Sequence, residues 1–103
     1  MHKLTKATSI PPAVKQIVWR RDYCRCVICG SINAGPHCHF VRRSQLGLGI
    51  EENIWTGCSK CHTEFDSEGT DGPLHKIVEE HLKKKYPNWE ETPLTYSKYD
   101  WRT

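Results

Sequence analysis

Residues 26–62 read CVICGSINAGPHCHFVRRSQLGLGIEENIWTGCSKCH, a segment that opens on one C-x2-C pair and closes on a second. Twenty-eight residues separate the two pairs, whose members are Cys26, Cys29, Cys58 and Cys61. Four thiolates can occupy the corners of a tetrahedron, the geometry of a closed structural zinc site. An iron centre or unconnected thiols are alternatives. A redox-active CVIC is disfavoured, because the matching CSKC explains both pairs as ligands.

The length of the chain suggests that a metal contributes to its stability. The chain has 103 residues, of which 37% are hydrophobic. A chain of this size forms one domain with a modest core, and a structural zinc site adds on the order of 10 kcal/mol. We therefore expect a single zinc-stabilised domain over residues 1–103.

The cysteine content and the first residues predict a location. The stretch MHKLTKATSI lacks the apolar run of a signal peptide, and no apolar stretch approaches the roughly 20 residues that cross a membrane. Six cysteines in such a chain indicate a reducing compartment, where thiols remain available for metal binding. We expect a soluble, cytoplasmic protein with no membrane partner.

Charge is distributed unevenly along the chain. Residues 1–50 contain eight Lys or Arg and one acid, Asp22, a net charge of +7. Residues 51–103 contain seven Lys or Arg and eleven acids, a net charge of −4. The basic half predicts an anionic partner, although a solvated surface would also account for it.

Short strands between helices are predicted along the chain. A serine followed by two prolines indicates the start of an N-terminal helix over residues 9–22. Within residues 23–67 we expect strands at 37–42 and 54–56. A helix should then begin inside the CSKC turn and run to about Asp66.

The C-terminal segment, residues 71–103, is predicted to form a helix and an aromatic tail. Asp71 is the expected N-cap, with Pro73 in the first turn. Apolar residues recur there at helical spacing: Leu74, Ile77, Val78, Leu82 and Tyr86. The tail aromatics are expected to pack against the body of the protein: Trp89, Tyr96, Tyr99 and Trp101.

The segment from Arg21 to Asp66 resembles an HNH endonuclease of the ββα-metal type, in the zinc-stapled form common in phage and prophage proteins. The resemblance rests on His39 at the end of the first strand, Asn53 in the following loop, and His62, with eight residues between the last two. It implies a small α+β fold with a treble-clef-like ββα-metal core, a four-cysteine structural zinc site, and flanking N- and C-terminal helices.

The position of His62 also follows from helix geometry. Cys61 and His62 are consecutive, so on a helix their side chains point about 100° apart. One can complete the zinc site while the other faces the strands. We therefore expect His62 to lie beside His39.

The resemblance implies catalytic roles for three residues. His39 is the expected general base, because the pKa of a histidine lies near working pH. His62 is the expected ligand of a second, catalytic divalent metal, which would be Mg²⁺, Mn²⁺, Ni²⁺ or Zn²⁺. Asn53 is expected to hold the loop so that the base is oriented.

Two cysteines fall outside the C-x2-C pairs. Cys24 lies too close to Cys26 to join it as a ligand and is expected to be a small buried side chain. Cys38 stands where the family usually has a His or Asp metal ligand, and a thiolate there favours Zn²⁺, Mn²⁺ or Ni²⁺ over Mg²⁺. His37 is the alternative ligand, although residues 37 and 39 share one face of a regular strand.

Three polar residues follow the predicted base and could hold the flanking phosphates: Arg42, Arg43 and Gln45. The leading hypothesis is a phage- or prophage-derived, metal-dependent DNA endonuclease that leaves 5′-phosphate and 3′-hydroxyl ends, as the resemblance implies. The alternative is a zinc-stapled module without catalysis that binds DNA or a protein of a phage packaging or recombination complex.

Overall fold

The computed structural model describes residues 3–97, with side chains from residue 6 onward. Within that range the chain forms four α-helices and one antiparallel pair of strands. In chain order these are α1 (Lys3–Thr8), α2 (Pro12–Arg21), β1 (Gly35–His39), β2 (Ile54–Gly57), α3 (Ser59–Glu68) and α4 (Pro73–Lys85). Single turns of 3-10 helix lie at Arg43–Gln45 and Trp89–Glu91.

The predicted small α+β class is confirmed, since residues 3–97 combine helices with a two-stranded sheet. The histidine and two aromatic residues nearest the chain ends, His2, Tyr99 and Trp101, lie outside the described residues. Among the helices of residues 3–97, none combines the length and the apolar character that crossing a membrane requires.

The first helices differ from the prediction for residues 9–22. α1 was not predicted, and α2 begins at Pro12. Pro11 is extended, with φ −64° and ψ 151°, because a residue that precedes a proline is disfavoured in the helical region. Pro12 then takes the first helical position, where its missing N–H costs nothing.

The two strands pair with an irregularity in β1. Gly35 lies opposite Gly57, whereas Cys38 lies opposite Trp55, so three steps along β1 match two along β2. The extra residue is a bulge, and it falls in the segment that contains Pro36. Beyond the bulge, the alternation of faces along β1 no longer follows from sequence position alone.

The strand predicted over 37–42 begins two residues earlier than expected, at Gly35, and ends three residues earlier, at His39. β1 ends at His39, after which the N–H of Phe40 bonds the carbonyl of Asn53 at 2.7 Å. The N–H of Val41 goes instead to the side chain of Asn53, at 2.8 Å. The chain then turns through the 3-10 helix at Arg43–Gln45.

β2 leads directly into α3. All four residues of β2 are buried, and Cys58 caps the helix by accepting a hydrogen bond at its sulfur from the N–H of Cys61, 3.4 Å away. Gly57 makes this junction possible. A Cβ at Gly57 would lie 2.4 Å from the Trp55 ring and 3.0 Å from the Cys38 sulfur.

α4 packs on α3 and covers the core. Its N-cap is Gly72 rather than the predicted Asp71, and Pro73 is the first helical residue. Val78 and Leu82 are fully buried, but Ile77 is 43% exposed and lies outside the buried face. The buried cluster spans the hairpin, α3, α4 and the segment after α4: Cys38, Phe40, Trp55, Phe65, Val78, Leu82 and Trp89. Trp89 thus packs as predicted, and its indole N–H donates to Glu52 O at 2.7 Å.

A buried ion pair joins α2 to the rest of the fold. The Arg21 guanidinium contacts both carboxylate oxygens of Asp22, at 2.8 and 2.9 Å. The same carboxylate accepts from the N–H of Thr56 in β2 and lies 2.6 Å from the His81 ring in α4. His81 is therefore part of the interface between α4 and α2.

Candidate functional site

Four cysteine sulfurs lie together at the junction of the hairpin, α3 and the turn after α2. The sulfurs of Cys26, Cys29, Cys58 and Cys61 all lie within 4.8 Å of one another, and the Cys29 and Cys58 sulfurs are 3.7 Å apart. A tetrahedron with Zn–S bonds of about 2.3 Å has edges of about 3.8 Å. This group could hold a structural metal ion such as zinc.

The first pair is shaped by a tight turn. Gly30 has φ 79°, and its N–H returns to the Cys26 carbonyl at 2.9 Å. A left-handed residue here is least costly as glycine. The N–H of Val27 bonds the Thr56 carbonyl at 3.0 Å, which fixes the turn against β2. β2 therefore positions both cysteine pairs: it bonds the turn of the first pair through Thr56, and it leads along the chain into the second pair at Cys58.

The environment of the cysteines suits thiolate ligands in part. Burial raises the pKa of Cys26, but hydrogen bonds from the backbone of Cys29, Cys58 and Ile28 outweigh it and bring the pKa down to about 7. Burial and the neighbouring sulfurs raise the pKa of Cys61. Four adjacent thiols resist full ionisation on their own, so a bound cation would be needed to hold all four as thiolates.

A second group of potential ligands lies between β1 and α3. Donor atoms of His37, Cys38 and His62 lie within 4.8 Å of one another. The Cys38 sulfur is 3.8 Å from His37 Nδ1, and the His37 and His62 ring centroids are 6.1 Å apart. The structure therefore places both alternatives for the second ligand, Cys38 and His37, beside His62.

Cys38 is the most buried member of this group. It is 0% exposed and belongs to the hydrophobic core. Burial, together with the negative charges of Cys26, Asp66 and Cys58, raises the pKa of Cys38 to about 12. Without a cation beside it, Cys38 is a neutral thiol at physiological pH.

Two members of this group, His37 and His62, line a cavity together with other predicted site residues. It has a volume of about 280 Å³. Its lining comes from β1, the following turn and α3: His37, His39, Arg42, Arg43, Ser44, His62 and Asp66. The expected neighbours His39 and His62 thus face one shared space.

His39 is held in one orientation by a hydrogen bond across the fold. Its Nε2 is 2.9 Å from the Thr8 carbonyl at the end of α1. A carbonyl only accepts, so Nε2 carries a proton and the lone pair of neutral His39 is on Nδ1. Burial lowers the pKa of His39, and the charges of Arg43 and His62 lower it further, against the Thr8 bond that raises it. These effects favour neutral imidazole, the form that can accept a proton.

Asn53 is fully buried and bonds only to the backbone of its own loop among the contacts described for residues 3–97. Its Oδ1 accepts from Val41 N, and its Nδ2 donates to Val41 O at 3.2 Å and Leu48 O at 2.8 Å. Asn53 therefore closes the loop that carries the cavity arginines.

The three predicted nucleic-acid residues occupy different places. Arg43 lines the cavity and donates to Thr8 Oγ1 at 3.0 Å and to Ser9 Oγ at 2.9 Å. Arg42 also lines it, with Nε 3.6 Å from Asp66 Oδ1 and Nη2 donating to the Asp66 carbonyl. Gln45 lines a neighbouring cavity, of which Arg42 is also part.

Sequence reasoning missed Asp66. Its Oδ2 lies 3.4 Å from His62 Nε2, one helical turn along α3. The signal was present as a His and an Asp at i and i+4, a spacing that puts two side chains on one helix face. The Thr8 carbonyl was also missed, and a backbone group 31 residues from His39 leaves no pattern in the sequence.

Cys24 does not join the cysteine ligands, as predicted, but the prediction that its side chain is buried is wrong. Cys24 is exposed and stands outside the four-sulfur group. Tyr23 and Cys24 both have positive φ, 57° and 58°, where the chain leaves α2. This left-handed turn directs the chain back toward β2 and leaves the Cys24 side chain in solvent.

The cavity combines a potential metal site, a neutral imidazole and two guanidinium groups, a set that can bind a phosphate and transfer a proton. No protein-family model, curated protein or solved structure matches the chain. We therefore infer function from the geometry of the site.

Proposed function

We propose that the protein is a metal-dependent endonuclease that hydrolyses phosphodiester bonds in DNA. The observation that carries this proposal is that one cavity is lined by both His39 and His62, together with Arg42 and Arg43. A structural zinc site requires none of these four residues. These four residues line one cavity beside a second group of potential metal ligands. A nuclease needs such an arrangement, and it would rarely arise by chance.

The order of elements supports a ββα-metal core of the HNH type. β1 carries His39 at its last position, β2 returns antiparallel, and α3 carries His62 in its first turn. We further propose that zinc occupies the four-cysteine site. Zinc there would hold the start of α3 against the hairpin, and so would keep His62 facing His39 without taking part in the reaction.

His39 acts in this proposal as the general base. Its Nδ1 takes a proton from a water molecule, and the water oxygen attacks the phosphorus as the P–O3′ bond breaks. The electron pair of that bond leaves on the 3′ oxygen, which yields a 5′-phosphate and, after protonation, a 3′-hydroxyl. The Thr8 carbonyl stabilises the imidazolium that His39 becomes, because it keeps accepting from Nε2.

His62, with Cys38 or His37, would hold the catalytic divalent cation. Such a cation, when bound, supplies charge neutralisation at the phosphate and at the departing oxygen. Asp66 lies beside the His62 ring and would orient it for ligation. Arg42 and Arg43 would hold phosphates on either side of the cleaved bond, which agrees with the basic first half of the chain.

One observation favours the second candidate, a zinc-stapled module that binds DNA or protein without cleavage. Cys38 stands where the HNH resemblance implies a His or Asp ligand, and it is buried with a pKa raised by burial to about 12. A soft, neutral thiol is a poor partner for Mg²⁺. The endonuclease therefore requires a softer cation, whereas the binding module requires none at this position.

Cleavage of supercoiled plasmid by zinc-loaded protein separates the two candidates. We expect nicking with Mn²⁺, Ni²⁺ or Zn²⁺ exceeding that with Mg²⁺, and a loss of about 10²–10⁴-fold in His39→Ala. Zinc content and circular dichroism of His39→Ala should match the wild type. Wild-type protein that binds DNA but cleaves with none of the four cations would favour the binding module. Equal cleavage by His39→Ala would remove His39 as the base.

A further inference from the structure

A second cavity lies next to the proposed catalytic one. It has a volume of about 270 Å³, near the lower end of small-ligand pockets at about 300 Å³. Its lining comes from the segment after β1, from α3, from the connection between α3 and α4, and from α4: Phe40, Arg42, Gln45, Phe65, Gly69, Thr70 and His75. Arg42 lines both cavities, and it is paired with Asp66, which lines the first.

Aromatic rings form one side of the second cavity. The His75 ring lies nearly parallel to Phe65, with centroids 5.5 Å apart and planes 19° apart. Its centroid is 4.2 Å from that of Phe40. Phe40 and Phe65 are almost fully buried, so the half-buried His75 is the ring that a ligand would meet. Burial lowers the pKa of His75, which favours the uncharged ring.

The polar groups around the ring are suited to the edge of a heterocycle. Gln45 and Thr70 are exposed and offer an amide and a hydroxyl, which can each donate and accept. Arg42 is the only cation among the described lining residues, and it also lines the catalytic cavity, where it would hold a phosphate. An uncharged aromatic ring beside neutral donors and acceptors fits a nucleobase better than a phosphate.

We propose that this second cavity binds one unpaired nucleobase of the DNA substrate, next to the phosphate held in the catalytic cavity. The proposal rests on the proposed endonuclease function and specifies its substrate class. A base in a paired duplex is stacked, so the substrate would be single-stranded, bulged or opened at the cleavage site. His75 provides the stacking surface, and Gln45 and Thr70 contact the edge of the base.

Binding measurements without any added divalent cation test the base site apart from catalysis. The probes are an end-labelled thymidine oligonucleotide and an abasic oligonucleotide of equal length and phosphate charge, each titrated with zinc-loaded protein by fluorescence anisotropy. We expect the wild type to bind the base-containing strand about tenfold more tightly. Gln45→Ala and His75→Ala should each lose most of this preference. Gln16→Ala, an exposed glutamine on α2, is the matched control and should keep it.

The outcomes separate this inference from the proposed function. Equal binding of the two probes by the wild type, or no binding, overturns the base site. A preference that survives in both Gln45→Ala and His75→Ala also overturns it. Gln45 is exposed, so its variant remains informative if His75→Ala is unstable. A preference for the base-containing strand without cleavage by any cation would overturn the endonuclease proposal and leave the base site supported. Cleavage together with equal binding of the two probes would overturn the base site and leave the endonuclease proposal supported.

Discussion

His37, Cys38 and His62 bring donor atoms of different hardness to one point. Imidazole and thiolate both favour zinc and nickel over magnesium, and binding a cation removes the proton from a thiol. Because burial raises the pKa of Cys38, this residue can act as a ligand only for a cation soft enough to displace its proton.

We expect substitution of either candidate ligand to weaken this site without disturbing the four-cysteine site. Cys38→Ser replaces the sulfur with a hard, protonated oxygen of similar shape, and His37→Asn removes an imidazole. Each should weaken Ni²⁺ binding to the zinc-loaded protein by at least about tenfold, measured by calorimetry. Cys24→Ser, at an exposed cysteine outside both groups of potential ligands, is the comparison. If only one of the first two variants loses affinity, that residue is the ligand and the other is not.

Asp22 is a buried charge whose stabilising role depends on its partners. Burial alone would raise the pKa of Asp22, but the hydrogen bonds from His81 and Arg21 lower it to about 2. The folded pKa thus lies below the ordinary value of 3.8, so the stabilisation is fully present above pH 4 and is lost as the pH falls toward 2. At neutral pH the carboxylate holds α2, β2 and α4 together.

We expect Asp22→Asn to lower the free energy of unfolding by about 3–5 kcal/mol at pH 7, because it leaves Arg21 buried beside a neutral amide. Chemical denaturation of the zinc-loaded protein measures the loss. Asp71→Asn is the control, since Asp71 is exposed and precedes the N-cap of α4, and it should change stability by less than about 0.5 kcal/mol. A loss equal to that of the control would mean that the ion pair contributes nothing net.

At the scale of elements, the Asn53 side chain bridges the two ends of the loop over residues 40–53, beside the backbone bond from the Phe40 N–H to the Asn53 carbonyl. Asn53→Ala removes three hydrogen bonds and leaves the Val41 N–H and the Val41 and Leu48 carbonyls without that partner. We expect a loss of about 2–4 kcal/mol in the free energy of unfolding and faster amide exchange at Val41. Cleavage should also fall, because this loop carries Arg42 and Arg43.

Asn33→Ala is the matched control for the loop prediction, because Asn33 is an exposed asparagine in the turn before β1. It should leave stability and exchange at Val41 unchanged. Unchanged exchange at Val41 in Asn53→Ala would show that the loop closes without this side chain, and Asn53 would then have no role in positioning His39.

The elements that follow from local spacing could be predicted from the sequence, and those that depend on distant contacts could not. The cysteine pairs, the helix after Cys58 and the proline start of α4 are local patterns, and each appears close to its predicted place. The bulge near Pro36 depends on pairing with β2, so the choice between His37 and Cys38 could not be made by counting alternate residues. Periodicity likewise did not show that Ile77 would remain exposed, because α3 covers only part of α4.

At the scale of the whole molecule, the four-cysteine group joins the turn after α2 to the start of α3, in addition to the Val27–Thr56 bond and the contacts of Asp22. Cys26 and Cys29 lie after α2, while Cys58 and Cys61 begin α3. The described core is small, and a structural zinc contributes on the order of 10 kcal/mol, comparable with the whole stability of a domain of this size. Loss of the metal should therefore unfold the protein rather than merely loosen one turn.

We expect chelation of zinc to abolish the helical circular dichroism signal, and readdition of Zn²⁺ to restore it. Two exposed cysteines allow a test that does not disturb the core. Cys29→Ser removes one of the four sulfurs and should abolish stoichiometric zinc and cooperative unfolding, whereas Cys24→Ser should preserve both, because Cys24 lies outside the group. A folded, zinc-free Cys29→Ser protein would show that the hydrophobic core alone specifies the fold. The cavity shared by His39 and His62 would then owe its shape to packing and not to the metal.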